Sequence, residues 1–375
     1  MKKTMPNYLF FLFCLWGLLL IVSIAIVLSS KDEKICRYYD EKVEAATLTK
    51  NCQEAIYNYK IEHNIPIDKE DVYNSGMIGT RYSFITTTSG QIDAKRTSIN
   101  PDFAAVVIDM FKEAGIHKGD QIGCVFSGSF PSLNLAVMCA IQVFKLDSVV
   151  MASVGASTYG ANNLEFNFID MVKYLNDLGL LTVKINYASL GGGNDTGESF
   201  NDDELTDEEM DDLKNDIINR IKSYDIEMIY ISDFQKNIDH RMNLFSKHVP
   251  NMKLFINVGG NILSIGSDEE GFITKNGLVK PTLEYISSKK IIANKTGLIE
   301  RYLCKNIPVA QFLNIKGLAS KYNLPYNPKS FPEIGTSDVY YEISYNLTLP
   351  IISLVITIGF FVFIIYLKKK KNYDI

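Results

Sequence analysis

Histidine is scarce in this chain of 375 residues: there are four, His63, His117, His240 and His248, and none falls in the glycine-bearing loops at 127–129, 155–160, 189–195 and 257–261. A serine nucleophile would need a base of another kind. Three glycine fingerprints are missing too. Without G-x-G-x-x-G after the first strand-like run, and without G-x-x-x-x-G-K-[ST], dinucleotide and P-loop sites lose their sequence support. Without G-x-S-x-G, so does the nucleophile elbow of the α/β-hydrolases. The six cysteines show no C-x-x-C spacing. Cys14 lies in an apolar run, and the odd five left indicate neither a zinc site nor a dense disulfide framework. Cys124 and Cys139, in apolar surroundings, read as buried thiols. No metal and no cofactor is expected.

Charge is absent from two long stretches. Residues 8–28 (YLFFLFCLWGLLLIVSIAIVL) and 347–367 (LTLPIISLVITIGFFVFIIYL) carry none. At about 1.5 Å per residue, each matches the roughly 30 Å hydrocarbon core of a bilayer. The first exceeds the length of a signal-peptide apolar core and lacks a clean cleavage site, so it reads as an uncleaved anchor. Lys2 and Lys3 precede it, and Lys368, Lys369, Lys370 and Lys371 follow the second run. The positive-inside rule then places both tails in the cytoplasm and residues 31–346 across the membrane. Six of the 38 basic and one of the 43 acidic side chains lie in the tails, which leaves 32 against 42 and a net of −10 for the ectodomain. Such an excess speaks against a nucleic-acid partner.

What is present is a regular alternation. Residues 33–64 hold no Gly or Pro and read as one or two helices, and 65–103 as a polar, Thr-rich loop. Strand-like runs follow at 122–126, 148–154, 181–187, 228–232 and 253–258, with helix-like segments between them. Their apolar character throughout is that of strands covered on both faces. The expected fold is α/β, an open doubly wound, mainly parallel sheet of about five strands flanked by one transmembrane helix at each end. The expected divisions are 1–30 (tail and first span), 31–103 (helical region and Thr-rich loop), 104–265 (α/β core), 266–346 (hairpin, helices broken near Pro308, and a tether) and 347–375 (second span and basic tail).

Open α/β sheets bind ligands beyond the carboxyl ends of their strands. Four polar, glycine-bearing loops fall at such ends: Ser127-Gly128-Ser129; residues 155–160 with Ser157; residues 189–195 with Gly191, Gly192, Gly193, Asn194 and Asp195; and residues 257–261 with Asn257, Gly259, Gly260 and Asn261. Glycine permits close backbone approach, and helix N-termini offer free N–H groups to an anion. Ser127 and Ser129 sit where a nucleophile could stand, with Lys95 the available base. The preferred reading has them cap the following helix and line a ligand pocket. Thr86, Thr87 and Thr88, with Lys95 and Arg96, offer hydroxyls and a cationic fork suited to carboxylate or phosphate. A Thr-rich edge strand with a solvated charge pair is an equal alternative. The acidic stretch 198–217 fails calcium-loop spacing and reads as a helix start, with Thr206 as N-cap and Glu209 completing a capping box.

The stretches SGMIGTRYSFITTTSGQIDAKRTSINPDFAA (75–105), FSGSFPSLNLAV (126–137), SVGASTYGANNLEF (153–166) and ASLGGGNDTG (188–197) resemble the bacterial poly-γ-glutamate system protein family. The similarity covers about residues 60–300, with membrane spans on both flanks, and no motif is missing. The acidic stretch after Gly197 is set apart from it. The resemblance implies a bacterial cytoplasmic-membrane protein accompanying poly-γ-glutamate synthesis or export, hence a role in capsule biosynthesis. Its implied partners are the polymer or the membrane subunits that make and export it. It implies a pathway rather than a reaction. Thr86, Thr87, Thr88, Lys95, Arg96, Ser127, Gly128, Ser129, Ser157 and the segment from Gly191 to Asp195 occupy the family's motif positions. Three roles stay open: binding in the glycine-loop cleft, a γ-glutamyl hydrolase or transferase using Ser127 or Ser129, and a structural assembly subunit.

Overall fold

The computed structural model describes residues 7–200, 205–267, 276–283 and 291–370. In chain order the elements are α1 (Asn7–Ser29), β1 (Lys31–Ile35), α2 (Tyr39–Glu62), α3 (Ile92–Ser98), α4 (Phe103–Ala114), β2 (Gln121–Phe126) and α5 (Pro131–Phe144). Then come β3 (Asp147–Ser153), α6 (Phe168–Asp177), β4 (Tyr187–Ser189), α7 (Asp207–Lys222), β5 (Glu227–Met228), α8 (Phe234–His248) and β6 (Met252–Val258). The last are α9 (Ile262–Ile265), β7 (Gly277–Val279), α10 (Leu298–Cys304), β8 (Val309–Phe312), α11 (Ile315–Lys321), β9 (Tyr341–Tyr345) and α12 (Thr348–Lys370). The chain divides into two units, residues 38–340 and the two ends, 1–37 with 341–375.

The larger unit holds a seven-stranded sheet in the order β5-β4-β3-β2-β6-β8-β7, parallel except for β7 against β8. Strands β2 to β5 proceed to one edge, and the chain then returns to lay β6 on the other side of β2. The order therefore reverses between β2 and β6. Alternate residues of β2 serve different layers, as the two-residue strand period requires. Val125 joins the cluster that includes Phe245 of α8, Phe255 and Leu303, with the Phe255 and Tyr302 rings stacked 4.6 Å apart. Phe126 meets Phe168 of α6 edge-on. Helix α5 begins with Pro131 in its first turn, where the missing N–H costs nothing, and is buried on nearly all sides. The capping box expected at α7 is present: the Thr206 hydroxyl accepts from the Glu209 amide while Glu209 bonds back.

The sheet has more strands than the sequence pattern suggests, and two of the expected ones are short. Of the run 181–187 only Tyr187 enters a ladder, because the Asn186 carboxamide accepts the Val150 N–H at 2.8 Å in place of a backbone carbonyl. Of 228–232 only Met228 is in the edge strand β5. The break at Pro308 opens into strand β8, and the second helix, α11, starts only after it; the four residues of β8 are all buried between β6 and β7. A four-residue run carries no period that could distinguish strand from helix.

In the smaller unit, β1 and β9 pair antiparallel, with Lys31 opposite Tyr345 and Ile35 opposite Tyr341. A strand thus stands where a helix is expected from residue 33, since its partner lies at the far end of the chain. Helices α1 and α12 are each long and apolar enough to cross a membrane. They pair through polar atoms: Trp16 Nε1 donates to the Thr357 carbonyl at 3.1 Å, and the Ser23 and Thr357 hydroxyls lie 3.0 Å apart. The Trp16 and Phe361 rings stack at 4.6 Å. In hydrocarbon such small hydroxyls and aromatic contacts hold helices together where apolar burial cannot.

Candidate functional site

The β2 turn is built by its own serines. The Ser127 amide extends the ladder to the Val258 carbonyl at 3.0 Å. Its hydroxyl then accepts from the Ser129 amide at 3.1 Å and donates to the Ser129 hydroxyl at 2.9 Å. Ser129 Oγ accepts the Ser157 amide at 3.0 Å, so one short hydroxyl chain joins the turns after β2 and β3. The expected helix cap is not made: Phe130 occupies the N-cap of α5 and no side chain caps it. Gly128 is required because a Cβ there would lie 2.9 Å from the Val154 carbonyl oxygen.

The loop after β6 closes on the same point. Gly259 has φ +96°, and a Cβ on it would stand 2.7 Å from the Ser127 Cβ. These two strands are the ones between which the strand order reverses. A cavity of about 250 Å³ opens there, walled by Ser127 and Ser129, by Ser153 and Gly155 at the end of β3, and by Gly192 and Gly193 beyond β4. Gly260, Asn261 and Ile262 complete one side, and Thr87, Thr88 and Ser199 the other. Among the described residues, the Gly192, Gly260 and Ile262 amides donate to no protein acceptor, nor do the Thr87 and Thr88 hydroxyls. Among the described residues, hydroxyls and backbone amides, with no cationic side chain, therefore set the chemistry of the lining.

The cations expected there are elsewhere. Arg96 of α3 turns to Glu70, with Nη2 2.7 Å from its carboxylate and Nε 2.9 Å from its carbonyl. Lys95 points inward and is fully buried, its Nζ donating to the Ser129 carbonyl and, at 2.7 Å, to the Ser157 hydroxyl. The Phe130 ring lies 4.2 Å below it. Burial lowers this amine from an ordinary 10.5 to about 7. Lys95 thus braces the backbone of the serine turn and touches neither the Ser127 nor the Ser129 hydroxyl; the serine it reaches is Ser157.

Protein-family models, curated proteins and solved structures contain no match to this chain.

Several residues expected to bind ligand are occupied in holding the loops. The Thr86 hydroxyl accepts from the Ser83 amide and Asn162. Asn194 bonds Glu198 at 3.0 Å, and Gly191, at φ +80°, backs onto Ser153. Asp195 is fully buried against Arg241 of α8, and its other oxygen accepts from Asn261 at 3.0 Å. Asn257 spans Gly259 and Gln311 at 2.8 Å each. Thr87, Thr88, Ser127, Ser129, Gly192, Gly193 and Gly260 do come together on the cavity. Asn261, the last residue of the fourth glycine-bearing loop, also joins them, whereas Ser153 and Ser199 are not among the expected residues. Ser153 stands near the carboxyl end of a strand-like run and could be found by that position; Ser199 and the bracing Arg241 have no local signal.

Proposed function

We propose that this is a two-span protein of the bacterial cytoplasmic membrane, with both termini cytoplasmic, that assists poly-γ-glutamate synthesis or export. Its extracytoplasmic domain binds the polymer, and specifically its carboxylate- and carbonyl-bearing γ-glutamyl units, in the glycine-loop cleft. The observation that carries this reading is the position of the amide- and hydroxyl-lined cavity at the reversal between β2 and β6. Read as a doubly wound sheet, this is the crevice where such folds take ligands. The family resemblance supplies the choice of ligand. The ectodomain's acidic balance favours contact confined to a donor-lined cleft over general adhesion.

A second reading, a γ-glutamyl hydrolase or transferase, is favoured by one contact: a lysine with its pKa lowered to about 7 lies 2.7 Å from the Ser157 hydroxyl. The attacking hydroxyl would then be Ser157, with Lys95 as base. Full-length protein in detergent, titrated with γ-linked glutamate oligomers, tests both. Binding that Ser129→Ala weakens by about tenfold, the effect of losing one good hydrogen bond to a charged group, supports the binding role. Oligomer shortening that disappears in Ser157→Ala would replace it with the enzymatic one. No binding by the unaltered protein would overturn the first reading.

A further inference from the structure

The cleft does not end at its serines. A second hollow, of about 520 Å³, runs over the Thr-rich loop and is lined by Tyr82, Ser83, Thr86 and Ser89 together with Thr87, Thr88 and Ser199. The last three also wall the inner cavity, so the two hollows meet along one shared rim. The rim is tied to the loop that follows β3: the Thr87 amide donates to the Ala156 carbonyl and the Thr158 amide to the Thr88 carbonyl, both at 2.9 Å. Those bonds use the backbone and leave the Thr87 and Thr88 side chains without a hydrogen-bond partner among the described residues. Thr86, by contrast, is tied to Ser83 and Asn162 and shapes the loop. At the outer end Tyr82 is 69% exposed, and the Arg81 guanidinium sits 5.6 Å from its ring centroid.

We infer that the two hollows form one groove for an extended chain, and that Thr87 and Thr88 are the junction it crosses. The occupant is a linear oligomer with acceptors repeated along it, carboxylates and amide carbonyls. One unit sits among the inner amides and serines, and following units lie over the outer hollow toward Arg81. A single small anion would use only the inner half. This inference rests on the binding role proposed above and adds the extent and direction of the site.

The test is the dependence of affinity on ligand length. Full-length protein in detergent is titrated with free glutamate, a γ-linked dimer and longer γ-linked oligomers. Affinity should rise by about tenfold or more from dimer to long oligomer. Arg81→Ala with Tyr82→Ala, both at the outer end, should remove that gain while leaving dimer affinity within about twofold. Equal affinity for dimer and long oligomer would overturn the groove and leave the inner site standing. A length gain that survives in the double variant would overturn the route toward Arg81. Failure of every ligand to bind would overturn the binding role itself and the groove with it.

Discussion

Among the described residues Lys95 is one of three buried lysines, and its surroundings differ from the others'. Lys42 has the Asp109 carboxylate 2.6 Å away. Lys60 donates to the Gly76 carbonyl and is attracted by Asp71, which limits the effect of burial to a lowering to about 8. Lys95 has no carboxylate within ion-pair distance among the described residues, and desolvation alone lowers it to about 7. The unfolded chain binds the proton up to about 10.5 and the folded one only up to about 7. Between these values unfolding takes up a proton, so this group's contribution to stability is present in alkali and lost as pH falls to 7. The unaltered protein should therefore gain on Lys95→Met by about 1.4 kcal/mol per pH unit between roughly pH 7 and 9. Denaturant unfolding of both across that range is the measurement, and parallel profiles would sink the claim.

At the scale of elements, the cleft depends on a loop whose one carboxylate is paired with a distant helix. Asp195, a candidate ligand residue by sequence, is neutralised by Arg241 from the middle of α8, and Asn261 fixes its second oxygen. The loop from Gly191 to Asp195 is thereby tied to the layer behind the sheet as well as to the loop after β6. Arg241→Met leaves the Asp195 carboxylate buried with only Asn261, and should cost about 3–5 kcal/mol in urea unfolding. Adding Asp195→Asn should recover part of that loss; a single variant within about 1 kcal/mol of the parent would show that the pair does not brace the loop. By contrast the capping box of Thr206 and Glu209 was legible, because both partners lie within one helical turn. Ladder lengths were not, since Asn186 decides one of them by a bond to a different strand.

For the whole molecule, the paired apolar helices and the flanking lysines make a prediction about sidedness. Protease added to intact cells should cut within residues 31–346 and spare a tag placed after Lys371; protection of that middle region would overturn the extracytoplasmic reading. The sequence by itself determined the apolar ends, the α/β alternation and the polar turns at strand ends, because each depends on composition or period within a short window. It also placed Ser127, Ser129 and the glycines of three loops near a cleft, since one topological rule puts such turns at one edge of a sheet. Only the tertiary structure decided that β6 lies beside β2, that Lys95 faces Ser157 while Arg96 faces Glu70, and that Asp195 serves Arg241. Each of these is a choice between partners far apart in the chain, which no short window of sequence contains.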